Sequence, residues 1–200
     1  MNSRWFLSAA VGLMMGCHPN DPADEARRFQ QEYIALLQHA PSSPVPYEDR
    51  PAYAWDSLFF PYNADFRWTG TARSYPHRKI YHYTYGEGRT DSLPLWGELW
   101  LPHGKDTFRL LLFLIIQQND SSLFLPFYDR TNGTETYGGG RYLELPYAEG
   151  PITVDFNYAT HPYCAYSDRY SCMLPPSENQ IPVAVRAGER LVGAQKKKGH

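Results

Sequence analysis

The sequence lacks three features that would point directly to a function: an excess of charge, an apolar run of bilayer length, and a catalytic or nucleotide-binding motif. A formal net charge of −2 gives no reason to expect nucleic-acid binding. The apolar run at residues 5–16 is shorter than the roughly 20 residues that a transmembrane helix needs. No serine-hydrolase elbow, zincin motif, Cys-x-x-Cys pair or phosphate-binding glycine loop is present. We therefore predict no metal site, no cofactor and no nucleic-acid partner.

Aromatic residues are abundant instead, with 16 Tyr, 10 Phe and 5 Trp. Together with 17 Pro and 15 Gly, they favour strands and turns over a helical bundle. Hydrophobic residues make up 42% of the chain, which is enough for a packed core and too many for a disordered chain. No internal repeat is visible. The composition therefore predicts a single, mainly β domain.

The first 17 residues are typical of a bacterial lipoprotein signal peptide. Arg4 precedes the apolar run, and the run ends in Leu13-Met-Met-Gly-Cys17, a sequence similar to a lipobox. We expect Cys17 to be lipidated, so that the exported protein is anchored to the inner or outer membrane of the bacterial cell envelope. A plain signal peptide or a buried N-terminal helix are the alternatives. Residues 18–22 would form a tether, residues 23–195 one β-rich domain, and residues 196–200 a disordered tail.

Local patterns predict one or two N-terminal helices followed by strands. Asp21 and Pro22 suit the start of a helix that ends before Pro41, and a second short helix is possible at 46–53. The later connections are short and contain no helical crossover, so we predict a single antiparallel β-barrel or β-sandwich. The predicted strands cover residues 66–73, 80–85, 96–100, 107–117, 123–128, 134–137, 141–145, 152–158 and 183–186.

Two long segments of unusual composition carry a family resemblance. They run from Leu125 to Leu143, including Asn132-Gly133 and Gly138-Gly-Gly-Arg141, and from Asp155 to Asn179. With Ala187-Gly-Glu189 they resemble the family named domain of unknown function 1684, over roughly residues 40–190. Met173 and His161 stand where the family often has proline and asparagine. The resemblance implies a fold and candidate residues, but no reaction.

The glycine segment offers a candidate anion site. Gly138, Gly139 and Gly140 can turn successive backbone N–H groups toward one point, and Arg141 can clamp a carboxylate or phosphate. Alternatively, the glycines form a β-bulge and Arg141 pairs with Asp129 or Asp155.

Cys164 and Cys172 allow three interpretations. A disulfide closing this short loop is the default in an exported protein. The alternatives are two buried free thiols, or a metal or catalytic site that includes His161.

The tyrosine-rich loop between Tyr158 and Tyr170 suits ligand contact, because each ring has an apolar face and a polar tip. We predict a pocket for a small anionic or polar ligand between this loop and the glycine segment. Its expected lining is Asp129, Gly138, Gly139, Gly140, Arg141, Asp155, Asn157, Tyr163 and Tyr166. A hydrolase using Asp129 or Asp155 as general base, and a structural or partner-binding module, are the alternatives. The oligomeric state does not follow from the sequence.

Overall fold

A computed structural model of the chain describes residues 21–85, 88–117 and 120–193. The expected signal peptide with Cys17, most of the tether and the C-terminal tail lie outside these residues. Within them the domain is mainly β with one N-terminal α-helix, as predicted. No helix among the described residues is both long and apolar enough to cross a membrane.

The helix α1, Pro22–His39, begins where the sequence predicts. The Asp21 side chain accepts a hydrogen bond from the Ala23 backbone N–H at 3.0 Å, and Pro22 occupies the first turn. At the other end, the Arg50 guanidinium donates to the carbonyls of Gln38 and Ala40, which an α-helix leaves without internal partners. The possible second helix is only a 3-10 turn at Arg50–Ala52.

Seven strands follow α1. They are β1 Arg67–Thr84, β2 Thr90–His103, β3 Asp106–Gln117, β4 Asp120–Asp129, β5 Arg141–Pro146, β6 Gly150–Asp155 and β7 Gln180–Ile181. Six of them form an antiparallel sheet in the order β5-β4-β3-β2-β1-β6, and the short β7 pairs with β4 in parallel. The predicted strand at 134–137 is a turn, and 183–186 has no regular structure. Both carry carbonyls and N–H groups that bond to loops rather than to a neighbouring strand.

The sheet curls into a half-barrel because its two edge strands are consecutive in the sequence. Only residues 147–149 separate β5 from β6, although these strands lie at opposite ends of the strand order. A flat sheet of six strands would hold its edges about 24 Å apart, farther than three residues can span. A bulge adds to the curvature near Gly97, where a Cβ would lie 2.0 Å from the Arg73 carbonyl oxygen.

Alternating side chains divide the sheet into an inner and an outer face. The inner face and the C-terminal segment build the main core, which includes Trp68, Leu99, Leu112, Leu125 and Phe127. On the outer face, Leu111 and Phe113 pack with Met173, so the middle of β3 is buried on both faces. This double burial ends before Ile116, which is 65% exposed. A third cluster joins α1 to the loops around Tyr166.

Candidate functional site

Arg141 is fully buried and organises the C-terminal segment rather than facing solvent. Its guanidinium lies 2.8 Å from the Asp129 carboxylate and donates to the carbonyls of Val185 and Ala187. Burial lowers the pKa of Arg141, although the adjacent Asp129 charge acts in the opposite direction. Of the two interpretations of this residue, the geometry matches the ion pair with Asp129.

The three glycines form the turn that leads into β5. The Gly140 N–H donates to the Tyr137 carbonyl at 3.2 Å, so it is not free to bind an anion. Gly140 has a positive φ of 89°, and a Cβ there would lie 2.6 Å from the Pro175 side chain. This glycine is therefore required by the turn and by close packing.

Asp155 and Asn157 lie at the end of β6, away from Arg141. Asp155 pairs with Arg67 across the β1–β6 edge at 2.7 Å and accepts a hydrogen bond from the Asn157 backbone N–H. The buried Asn157 amide bonds both backbone groups of Asn63. These two residues hold the loop before β1 against the start of the turn at 156–158.

The tyrosine-rich loop is fixed by a buried hydrogen-bond network around Glu189. The Tyr166 hydroxyl and the His161 backbone N–H donate to the two Glu189 carboxylate oxygens, and His161 Nδ1 lies 2.9 Å from Oε1. Desolvation would raise the pKa of Glu189, but its contacts with His161 and Tyr166 outweigh this and the pKa is lowered. Burial, together with the nearby Glu189 charge, raises the pKa of Tyr33, which lies beside this network.

The glycine segment and the tyrosine-rich loop do contact each other, as the predicted pocket requires. The Tyr137 N–H donates to His161 Nε2 at 3.1 Å, and the Tyr137 and His161 ring centroids lie 6.2 Å apart. The Arg141 guanidinium does not lie between them, because it bonds the segment 185–189 from the core side. Both segments contact residues 185–189, and the buried Arg141 does not offer a positive charge to a ligand where the two segments meet.

The disulfide expected between Cys164 and Cys172 is absent, and both residues are free cysteines. The Cys164 N–H donates to the Cys172 sulfur at 3.1 Å. The pKa of the Cys164 thiol is lowered, mainly because of its interaction with Cys172. Burial alone would raise this pKa, whereas the nearby Tyr137 lowers it further.

A cavity of about 680 Å³ opens beside the edge strand β5. Its walls come from α1, from the end of β1, from β4 and β5, and from the tyrosine-rich loop. The lining residues are Phe29, Tyr33, Tyr83, Tyr85, Phe124, Tyr142, Leu143, Glu144, Tyr158, Thr160, His161, Pro162, Tyr163, Tyr170, Ser171, Cys172 and Met173. Ten of these seventeen residues have aromatic rings, counting His161. The volume falls within the range typical of small-molecule sites.

Among the predicted ligand-binding residues, only Tyr163 lines this cavity. Tyr166 lies behind it in the Glu189 network, and the Asp, Asn, Gly and Arg residues lie elsewhere. The sequence contained a signal for the missed residues: along β5, Arg141, Leu143 and Leu145 are buried, so Tyr142 and Glu144 must share the opposite face.

These features define a class: a half-barrel β domain with an aromatic cavity at one sheet edge. The model of the family described as "Protein of unknown function (DUF1684)" matches residues 56–190, and the chain belongs to this family. The chain is also similar to an uncharacterized protein of Haloarcula marismortui with a solution NMR structure. The two share 32% identity, with a TM-score of 0.65, over 84% of this chain and 92% of that one. No curated protein matches the chain.

Proposed function

We propose that this protein binds a small organic molecule in the tyrosine-lined cavity beside β5. The observation that carries the proposal is the cavity itself: about 680 Å³ of space lined mainly by rings, on a rigid sheet edge. Exposed aromatic surface of this kind is unfavourable in water, and a ligand that covers it gains the burial free energy. Tyrosine hydroxyls around the rings would orient the ligand's polar groups.

The walls of the cavity are held in place without a ligand, which lowers the entropic cost of binding. The Tyr142 N–H and C=O each exchange a 2.9 Å hydrogen bond with Thr160, which joins the loop to β5. The Tyr142 hydroxyl donates to the Met173 carbonyl at 2.6 Å. Burial raises the pKa of Tyr142, so its hydroxyl remains a neutral donor. Preorganised walls favour binding of a specific ligand.

The sequence suggested a small anionic or polar ligand, and the chemistry of the lining favours a polar aromatic ligand over an anionic one. No Lys or Arg of the part of the chain that the structure describes lines the cavity, and the guanidinium of Arg141 is buried under the C-terminal segment. An anion would enter without a cationic partner and would lie near the Glu144 carboxylate. Asp129 and Asp155, the candidate general bases, pair with arginines and do not line the cavity, so the geometry does not favour the hydrolase alternative.

A screen with a blocked variant tests the proposal. Binders are identified by saturation-transfer NMR on the purified full chain with a library of neutral, cationic and anionic ring compounds. Ser171 is exposed and lines the cavity, so Ser171→Trp fills the space without disturbing the core. Ser177→Trp places the same ring at an exposed position outside the cavity. We expect binders that compete with one another, that Ser171→Trp abolishes and that Ser177→Trp retains. An empty screen, or binding unaffected by Ser171→Trp, would overturn the proposal.

We also propose that the domain is held at the bacterial envelope by lipid on Cys17. The support is the lipobox-like sequence at residues 13–17. Two or three acyl chains would give stable membrane attachment, since each buried methylene contributes about 0.8 kcal/mol. Labelling of the full chain in bacteria with an alkyne fatty acid tests this. Label that disappears in Cys17→Ala but remains in Cys164→Ala supports the anchor, and label retained in Cys17→Ala contradicts it.

A further inference from the structure

Among the described residues that line the cavity, one carries a formal charge outside the buried network, and that charge is negative. This residue is Glu144, which is exposed at the cavity wall, and the described lining contains no Lys or Arg side chain. Among the described residues, the structure gives the Glu144 carboxylate no ion-pair partner. A solvent-exposed carboxylate needs no partner, but a ligand that enters the cavity would cover it. A covered carboxylate then requires a cation or hydrogen-bond donors from the ligand.

Two aromatic residues are neighbours of Glu144 on the same sheet face. Phe124 on β4 lies directly opposite Glu144 in the strand register, and Tyr142 precedes Glu144 by two residues on β5. Pro126 has no N–H and lies opposite Tyr142, so these two residues form a non-hydrogen-bonded pair. The two pair types alternate along an antiparallel ladder, so the Phe124–Glu144 pair, two residues further along, is of the same type. Side chains approach most closely in such pairs. The Phe124 and Tyr142 rings meet edge to face at 4.8 Å between centroids. A carboxylate beside two ring faces is a favourable environment for an organic cation.

Another part of the cavity wall, at the end of β1, shows the same chemistry within the protein. The Arg89 guanidinium carbon lies 3.7 Å from the centroid of the Tyr85 ring, and Arg89 also pairs with Asp91 at 3.5 Å. Tyr83 packs edge to face against Tyr85 at 5.1 Å, and both rings line the cavity. Ring faces on this side therefore stack with a cation that a carboxylate neutralises.

We propose that the molecule bound in this cavity carries a positively charged ammonium group, which packs against the Phe124 and Tyr142 rings on the side of the Glu144 carboxylate. The proposal rests on the proposed function, because it names the chemical class of ligand for the same cavity. A quaternary ammonium suits the site better than a primary one, since methyl groups spread the charge over the ring faces and need no hydrogen-bond acceptor beyond the carboxylate. The remaining apolar volume would hold a ring or short alkyl part of the ligand.

Two probes of matched shape, benzyltrimethylammonium and its neutral isostere neopentylbenzene, separate charge from hydrophobic burial, and the smaller benzoate reports the response to a negative charge. Affinities are measured by NMR titration of the wild-type domain, Glu144→Gln and Glu178→Gln. Glu178 is exposed outside the cavity, so its variant controls for the change in net charge. We expect the ammonium probe to bind about tenfold more tightly than the neutral one, and benzoate to bind weakest. Glu144→Gln should remove most of this preference while leaving the affinity for neopentylbenzene unchanged, and Glu178→Gln should keep it.

The outcomes distinguish the two proposals. If neopentylbenzene binds as tightly as the ammonium probe, or if Glu144→Gln leaves the preference intact, the ammonium site is wrong and the cavity remains a binding site for neutral ligands. If benzoate binds best, the charge assignment is wrong in sign. If no probe binds, or if Ser171→Trp binds all three as well as the wild type, both the proposed function and this inference fail.

Discussion

Replacing Arg141 tests whether this residue is structural, and the expected effect is large. In Arg141→Ala the Asp129 carboxylate, itself fully buried, loses its only cationic partner among the described residues. The carbonyls of Val185 and Ala187 lose hydrogen bonds at the same time. Removing one partner of a buried ion pair costs about 3–5 kcal/mol, against a total stability of roughly 5–15 kcal/mol for a domain. We therefore expect Arg141→Ala to lose a large part of its free energy of unfolding.

Urea unfolding followed by tryptophan fluorescence measures this loss. Arg67→Ala is the matched control, because Arg67 forms a partly exposed ion pair with Asp155 and its removal should cost less than about 1 kcal/mol. The double variant Arg141→Met with Asp129→Leu removes both charges and should recover much of the stability. A loss for Arg141→Ala no larger than that for Arg67→Ala would refute the structural role and return the residue to the list of ligand contacts.

Three further predictions follow from the residues around this segment. Gly188→Ala should lower the free energy of unfolding far more than Gly133→Ala in the same urea assay. Both glycines have a positive φ, 76° and 78°, but only at Gly188 would a Cβ lie 2.5 Å from a carbonyl oxygen. Equal losses of stability would contradict this packing argument. The pKa of Glu189 is lowered in the folded state, so its carboxylate stabilises the fold at pH values above its ordinary pKa of 4.5, and this contribution disappears as the pH falls through the lower folded pKa. In Glu189→Gln, the free energy of unfolding measured between about pH 7 and 3 should therefore fall less steeply with acid than in the wild type. An unchanged pH dependence would contradict this. The lowered pKa of the Cys164 thiol predicts that iodoacetamide alkylates Cys164 faster than Cys172 near neutral pH, and that Cys172→Ala slows the alkylation of Cys164. Peptide mass spectrometry without reductant measures both rates. Recovery of a peptide pair joined by a Cys164–Cys172 disulfide would contradict the presence of free thiols.

The fold was largely predictable because local signals agree with the tertiary structure. Asp21 and Pro22 specify the start of α1, and the period-two alternation at the start of β1 matches the observed faces. The segments at 134–137 and 183–186 have strand-like composition, but their backbone groups bond to loops, and composition does not encode that choice of partner. The curl of the sheet depends on the short link between β5 and β6, which the sequence does show.

The candidate site was less predictable because its residues come from five distant parts of the chain. Arg141, Asp129 and the glycines form an unusual local pattern, yet this pattern serves a buried ion pair and a tight turn. Tyr142 and Glu144 are inconspicuous in the sequence and become a site only when β4, α1 and the loop pack around them. Register and loop packing are long-range properties, so the residue types alone could not bring these walls together.

The most direct test of the central claim, that the tyrosine-lined cavity is a binding site, is chemical-shift mapping on the isotopically labelled domain with a bound probe from the screen. The account predicts shift changes concentrated on Phe124, Glu144, Thr160 and Tyr163, which line the cavity from three elements. Changes concentrated instead on residues 41–50 and 167–169, around the second cavity, would contradict it.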